Sequence, residues 1–247
     1  MIISHKYKFI FIKNWKTAST SIEGYLAKYC GQDDVIATVP SAIGIDEEKN
    51  VKGLFNPVPE ILDCNRITVG RDFFGITSMR RTLKDFVTFT KFYNHMPAYQ
   101  VQSRVPKRIW DTYYKFCFER SPWDKVISNF FMLKGAHVRK FMPDLTFEKY
   151  MEDKVFLSCL NYPRYMDNKR QEKVIVDHIG KYEDLDREMG KICQKLNIPY
   201  EGTLGMHIYK SPAKDEEKEE YKRLLKDKYS ELFLKYFNKE LELWERL

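Results

Sequence analysis

The feature that most constrains this chain is a recurring order of short β-rich run, turn and amphipathic helix. Tyr7 to Ile12 is the first such run. Small polar residues follow it, and Ile22 to Tyr29 then reads as a helix carrying Leu26. The order returns at Tyr113 to Phe118, closed by Glu119-Arg120-Ser121-Pro122, after which Trp123 to Leu133 places apolar residues at helical spacing. A third run, Val174 to Ile179, leads through Gly180 into Tyr182-Glu183-Asp184-Leu185, with Asp184 or Asp186 as the cap of a helix to Leu196. Strands alternating with helices predict an α/β fold built on a mostly parallel sheet flanked by helices, whose ligands bind beyond the carboxyl ends of the strands.

Between these units the chain is less periodic. Gly31 to Asn65 mixes Asp, Gly, Pro and Val and reads as connecting structure. Arg80 to Tyr93 leads to Asn94-His95-Met96-Pro97, where Pro97 opens the next helix and leaves His95 at an element boundary. Thr146 to Met151 predicts a short helix, and Asp215 to Leu247 predicts one or two amphipathic closing helices. Phe130-Phe131-Met132-Leu133 and Leu232-Phe233-Tyr236-Phe237 are expected in the core, and the charge run from Lys214 to Lys228 on a solvated face. A length of 247 residues suits one domain over 1–247.

Lys and Arg number 42 against 35 Asp and Glu, a net +7 that suits an anionic ligand, a polyanionic substrate or nucleic acid without choosing among them. Five cysteines, Cys30, Cys64, Cys117, Cys159 and Cys193, are widely spaced and form no C-x-x-C pair, so neither a disulfide framework nor a zinc site is indicated and a reducing compartment fits. The first sixteen residues hold an apolar core only at Phe9 to Ile12, too short for a leader or a membrane span, and no later segment is long enough to span. The expected location is cytoplasmic.

Lys16-Thr17-Ala18-Ser19-Thr20-Ser21 lies between the first strand and its helix. Exposed backbone N–H groups and the helix dipole favour an anion there, the small side chains let it approach, and Lys16 adds a positive charge. A Ser/Thr-rich helix cap with a solvated lysine is an equally good reading of the segment alone. A Walker A loop needs glycines before its Lys-Ser/Thr pair; here Lys13-Asn14-Trp15 precedes Lys16, which disfavours a nucleoside-triphosphate kinase. Further on, Arg120 ends the second strand and Ser128 follows eight residues later, so a bidentate fork and a hydroxyl can converge on a second anion if the chain turns back. An Arg–carboxylate pair with a helix-surface Ser is the plainer reading of those two residues.

Taken together, these segments resemble the sulfotransferases that use 3′-phosphoadenosine 5′-phosphosulfate (PAPS), in particular the carbohydrate and bacterial branches. Lys16 to Ser21 is similar to their 5′-phosphosulfate loop, Lys-Thr/Cys-Gly/Ala-Ser/Gly-Thr-Ser after a first strand. Phe116 to Trp123 followed by Ser128-Asn129-Phe130 resembles their 3′-phosphate segment. Asn94-His95-Met96-Pro97-Ala98 looks like the segment of the catalytic His, and Ile179 to Leu185 like the one whose aromatic residue, here Tyr182, lies near the adenine. His207-Ile208-Tyr209-Lys210-Ser211 is similar to the late basic loop, which adds Lys210 to the donor ligands. The chain departs from many cytosolic members in having Ser21 where they place a Trp on the adenine.

The resemblance implies a fold related to P-loop kinases and PAPS as cosubstrate, with 3′-phosphoadenosine 5′-phosphate (PAP) as product and no metal. It implies donor ligands Lys16, Thr17, Ala18, Ser19, Thr20, Ser21, Arg120, Ser128, Tyr182 and Lys210. His95 is the expected base for a hydroxyl acceptor, a glycan or small molecule, and Lys16 the group that stabilises the leaving phosphate. An ATP-dependent phosphotransferase and a non-catalytic binder of nucleic acid or another polyanion stand as alternatives; Lys6 to Lys16 and Tyr162 to Lys173 are rich enough in Tyr, Lys and Arg for the latter, but no nucleic-acid motif accompanies them.

Overall fold

The structure is a computed structural model and describes residues 1–37, 92–135, 144–167, 172–205 and 213–247. Among the described residues five strands form one sheet in the order β3-β1-β2-β4-β5. The first two, β1 (Ile2–Ser4) and β2 (Phe9–Phe11), are an antiparallel hairpin in which Ile3 faces Ile10. Strand β3 (Val35–Ile36) adds antiparallel to β1. On the other side β4 (Tyr114–Glu119) lies parallel to β2, and β5 (His178–Lys181) parallel to β4. The sheet is therefore mixed and not mostly parallel: the run expected from Tyr7 is split from a preceding strand by a turn over 5–8, with Lys8 left-handed at φ 54°. Asp34 holds that hairpin to β3, its carboxylate accepting from Ser4 Oγ at 2.8 Å, His5 N at 2.6 Å and Gly31 N at 2.9 Å.

Two-residue alternation decides which face each strand residue covers. Phe9, Phe11, Phe116 and Phe118 point to one side, where α1 (Ser19–Ala27) and α7 (Leu185–Leu196) supply Ile22, Leu26, Met189 and Ile192. Ile10, Ile12, Cys117 and Ile179 point to the other and pack against α2 (Ala98–Arg104) and α3 (Lys107–Thr112) through Val101 and Trp110, with Tyr165 beside them. A third cluster joins α4 (Pro122–Lys134), α5 (Phe147–Glu152) and the closing helix α8 (Asp215–Glu245) around Phe130, Tyr150, Phe233 and Phe237. The closing segment is thus one helix of 31 residues. Each fully buried aromatic in these clusters contributes about 1.5–3 kcal/mol of transfer free energy.

Several sequence expectations shift in register. The third strand begins at His178, four residues later than expected, and Val174 makes only an isolated bridge to Met166. Its entry is set by Asp177, whose carboxylate accepts from the Lys115 backbone N–H and pairs with Lys115 Nζ, both at 2.8 Å. Gly180 is required where β5 crosses Phe118, because a Cβ there would lie 2.6 Å from the phenyl ring. Asp184 occupies the N-cap of α7, but its carboxylate pairs with Arg187 instead of capping. Thr146 caps α5 by accepting from Lys149 N at 3.2 Å. Cys30, Cys117, Cys159 and Cys193 are buried free thiols. Among the described residues no helix is long and apolar enough to cross a membrane. The stretch expected from Arg80, most of the connecting segment, Cys64, His207 and Lys210 lie outside the described residues.

Candidate functional site

The parallel strands β2, β4 and β5 end on the same edge of the sheet, and the chain leaving each of them carries a residue singled out by sequence: the loop to Lys16, Arg120, and Tyr182. The first loop is pinned before it turns. Ile12 N donates to Phe116 O at 2.9 Å and Asn14 Nδ2 to Phe118 O at 2.8 Å, tying the loop to β4. Lys13 is 2% exposed and its ammonium meets Glu23 of α1 at 2.6 Å, so this lysine braces loop to helix and is not a ligand. The next lysine is different. Lys16 and Ala18 both sit in the left-handed region, at φ 60° and 53°, with Thr17 between them outside it. Alternation of this kind builds concavities lined by backbone N–H groups, and it costs non-glycine residues about 1–3 kcal/mol each, strain typical of binding loops.

Ala18 is the N-cap of α1, and no side chain caps the helix there; no acidic residue stands in its first turn. The positive end of the helix therefore faces the loop without an acidic side chain in its first turn. Thr17 is buried, its hydroxyl 3.5 Å from the Asn14 carbonyl, while Ser19 and Ser21 are buried and Thr20 half-buried in the first turn.

Lys16 and Arg120 are brought within electrostatic range of each other. Burial, and then the Arg120 charge, lower the Lys16 pKa to about 8. Among the described residues neither cation has a carboxylate within ion-pair distance, so the plainer reading of Arg120 as half of a surface ion pair does not hold there. The guanidinium lies over the Tyr182 ring, 4.6 Å from its centroid. The turn after it is fixed by two carboxylates: Glu119 accepts from Arg120 N at 2.9 Å and Glu183 from Ser121 N at 2.8 Å. Ser128 is half-buried on α4, about 9 Å along the helix from Pro122 at 1.5 Å per residue, and among the described residues it forms no hydrogen bond with Arg120.

His95 joins the same loop from α2's side. It too is left-handed, at φ 59°. Its ring stacks on Trp15, centroids 3.8 Å apart and planes 8° apart, and Nδ1 lies 3.1 Å from the Lys13 carbonyl. A carbonyl only accepts, so Nδ1 carries the proton and Nε2 the lone pair. Burial, followed by the Arg164 and Lys13 charges, holds the His95 pKa well below the ordinary histidine value. Arg164 also donates to the His95 carbonyl and lies over Trp15 at 5.5 Å. The imidazole is consequently neutral at pH 7, stacked on the residue that precedes Lys16.

Sequence reasoning passed over the residues beneath the loop. Asn161 is fully buried; its Oδ1 accepts from Trp15 N at 2.8 Å and its Nδ2 donates to Trp15 O at 3.0 Å. Lys125, fully buried, pairs with Glu119 at 2.7 Å and also with Glu240 of α8. Burial, then the nearby Glu119 charge, raises Glu240 to about 7. Among the described residues no group of three or more His, Cys, Asp or Glu side chains is placed to hold a metal.

Fold and site together define an α/β protein with a mixed sheet and a cationic loop-and-helix site at the carboxyl ends of its parallel strands. No family model matches the chain, and no solved structure matches it. Among curated proteins it is 40% identical, over 106 residues, to an uncharacterized protein of Archaeoglobus fulgidus, a match spanning 43% of this chain and 86% of that protein. The chain belongs to the family of that archaeal protein.

Proposed function

We propose that the chain is a PAPS-dependent sulfotransferase acting on a hydroxyl acceptor, favoured by resemblance to be a carbohydrate, and that its sheet, loop and first helix are related to those of P-loop kinases. The observation that carries the reading is the pair Lys16 and Arg120: two cations without carboxylate partners among the described residues, flanking an uncapped helix terminus, with a neutral histidine stacked on Trp15, the residue before Lys16. Unpaired charges kept near one another cost stability, and a bound polyanionic ligand is what offsets it.

In this reading Lys16 and the N–H groups of Thr17 to Thr20 hold the 5′-phosphosulfate, with Ser21 beside them. Arg120 and Ser128 take the 3′-phosphate and Tyr182 borders the base; Lys210 is a further ligand. Transfer is an in-line displacement at sulfur, with charge spread over equatorial oxygens, so alignment and electrostatics supply most of the acceleration. His95 Nε2 takes the proton of the acceptor hydroxyl as the new O–S bond forms. The old S–O bond breaks toward the phosphate, whose added charge Lys16 neutralises.

Thermal denaturation tests the reading without an acceptor. PAP at a hundredfold excess over its Kd raises the melting temperature by about 5–10 °C with no added metal. Equal stabilisation by Mg-ATP with none by PAP favours the phosphotransferase, and stabilisation only by oligonucleotide the polyanion binder. Arg120→Ala weakens PAP binding by about 1.5–3 kcal/mol and leaves the fold intact, because its guanidinium makes one ring contact and no ion pair among the described residues. Unchanged calorimetric affinity in a folded variant takes Arg120 out of the site.

A further inference from the structure

Asn161 stands at the N-cap of α6 (Tyr162–Tyr165), a place where asparagine ordinarily bonds the first N–H groups of its own helix, yet its side chain makes no such bond. The second helical position is Pro163, which has no N–H, and Arg164 N bonds the Asn161 carbonyl at 2.7 Å, while Glu240 Oε2 accepts from Asn161 N at 2.7 Å and Tyr162 N at 2.6 Å. The amide of Asn161 is thereby free to reach across to Trp15, 146 residues earlier, and bonds both main-chain groups of that residue at 2.8 and 3.0 Å. Two parallel bonds to one residue fix orientation as well as position. The same amide donates to Glu119 Oε1 at 3.2 Å, the oxygen that also accepts from Arg120 N at 2.9 Å and Lys125 at 2.7 Å. One connected set of buried groups, Asn161, Glu119, Lys125 and Glu240, therefore touches the main chain of both turns that carry the unpaired cations, although no member reaches the cations themselves.

We infer that Asn161 is the positioning residue of this site: through it the closing helix α8 sets the spacing between the Trp15–Lys16 loop and the Arg120 turn. The inference rests on reading that loop as the donor's anion site. Side-chain networks of this kind act as a unit, so removing the amide that links both turns frees the loop without removing any ligand.

The test uses the full chain labelled with ¹⁵N at its tryptophans. In Asn161→Ala the Trp15 indole signal shifts or broadens while that of Trp110, in a separate cluster of the core, stays in place, and PAP affinity falls about tenfold. A folded variant whose Trp15 signal coincides with wild type overturns the inference, whatever PAP does. Should the variant not fold, amide exchange in the wild type decides: a Trp15 N–H as slow as those of the last turns of α8 supports the linkage, and one exchanging freely while α8 is protected overturns it. If wild type binds no PAP at all, the sulfotransferase reading fails, and the indole and exchange measurements still judge Asn161 by themselves.

Discussion

Replacing His95 with alanine is expected to lower turnover of the hydroxyl acceptor by about two to four orders of magnitude while leaving PAP affinity within about twofold. A base for the acceptor touches the donor only indirectly, so its loss appears in kcat and not in product binding. The tautomer supports this assignment: with Nδ1 donating to the Lys13 carbonyl, Nε2 is the nitrogen left to take a proton. Because burial and two neighbouring cations hold the pKa well below its ordinary value, the active neutral form persists as pH falls, and the acid limb of the rate lies below the usual histidine range. His95→Asn separates chemistry from bracing. Its amide can still donate to Lys13, which preserves loop and fold, but it has no lone pair at the Nε2 position. Equal losses in the two variants identify a base. Near-normal sulfation in a folded His95→Asn protein removes the role, and lost PAP binding makes His95 a donor ligand instead.

The parts of the fold legible in sequence are those that local pattern encodes. Strands β2 and β4 announce themselves because Phe9, Ile10 and Phe11, like Phe116, Cys117 and Phe118, are buried on alternate faces. Strand β1 does not, since Ile2 and Ile3 are only two apolar residues and the turn after them uses a left-handed lysine where Gly or Asn gives the usual signal. Parallel or antiparallel pairing is a choice of partner, which alternation does not specify; that is why the sheet is more mixed than expected. At the site, Lys16 and Arg120 are found from their places after one strand each, whereas Tyr182 is named only through the family resemblance. The brace is not, because Asn161 and Trp15 are 146 residues apart and each looks like an ordinary loop residue alone. One signal was present. On α8 the buried positions run Leu225, Tyr229, Phe233, Phe237, Glu240, and on α4 Lys125 falls among Pro122, Val126 and Phe130. A charge on the apolar stripe of a helix points to a buried partner of opposite sign.

The second large effect is expected from Lys16→Met, and it runs in opposite directions for binding and stability. Methionine keeps an unbranched stem over the same half-buried path and bears the same left-handed backbone cost as lysine, so the loop is preserved. Losing the charge weakens PAP by about 1.5–3 kcal/mol and slows transfer by a further two to three orders of magnitude, roughly the cost of removing a donor from a developing anion. Without ligand the variant is more stable than wild type. Lys16 has a folded pKa of about 8 against an ordinary lysine value of 10.5, so the unfolded chain binds more protons between those values and wild-type stability rises with pH across them. The cost of keeping this lysine is fully present below about pH 8 and gone above about 10.5. The melting temperature of the ligand-free variant thus exceeds wild type at pH 6 and 7, and the two converge toward pH 10.5. Wild-type anion affinity follows the same group: level below pH 7, falling by up to tenfold per unit above about pH 8, while that of Lys16→Met is flat over this range. A folded Lys16→Met protein less stable than wild type at pH 6, with PAP affinity unchanged, shows instead a lysine held for the fold and removes it from the site.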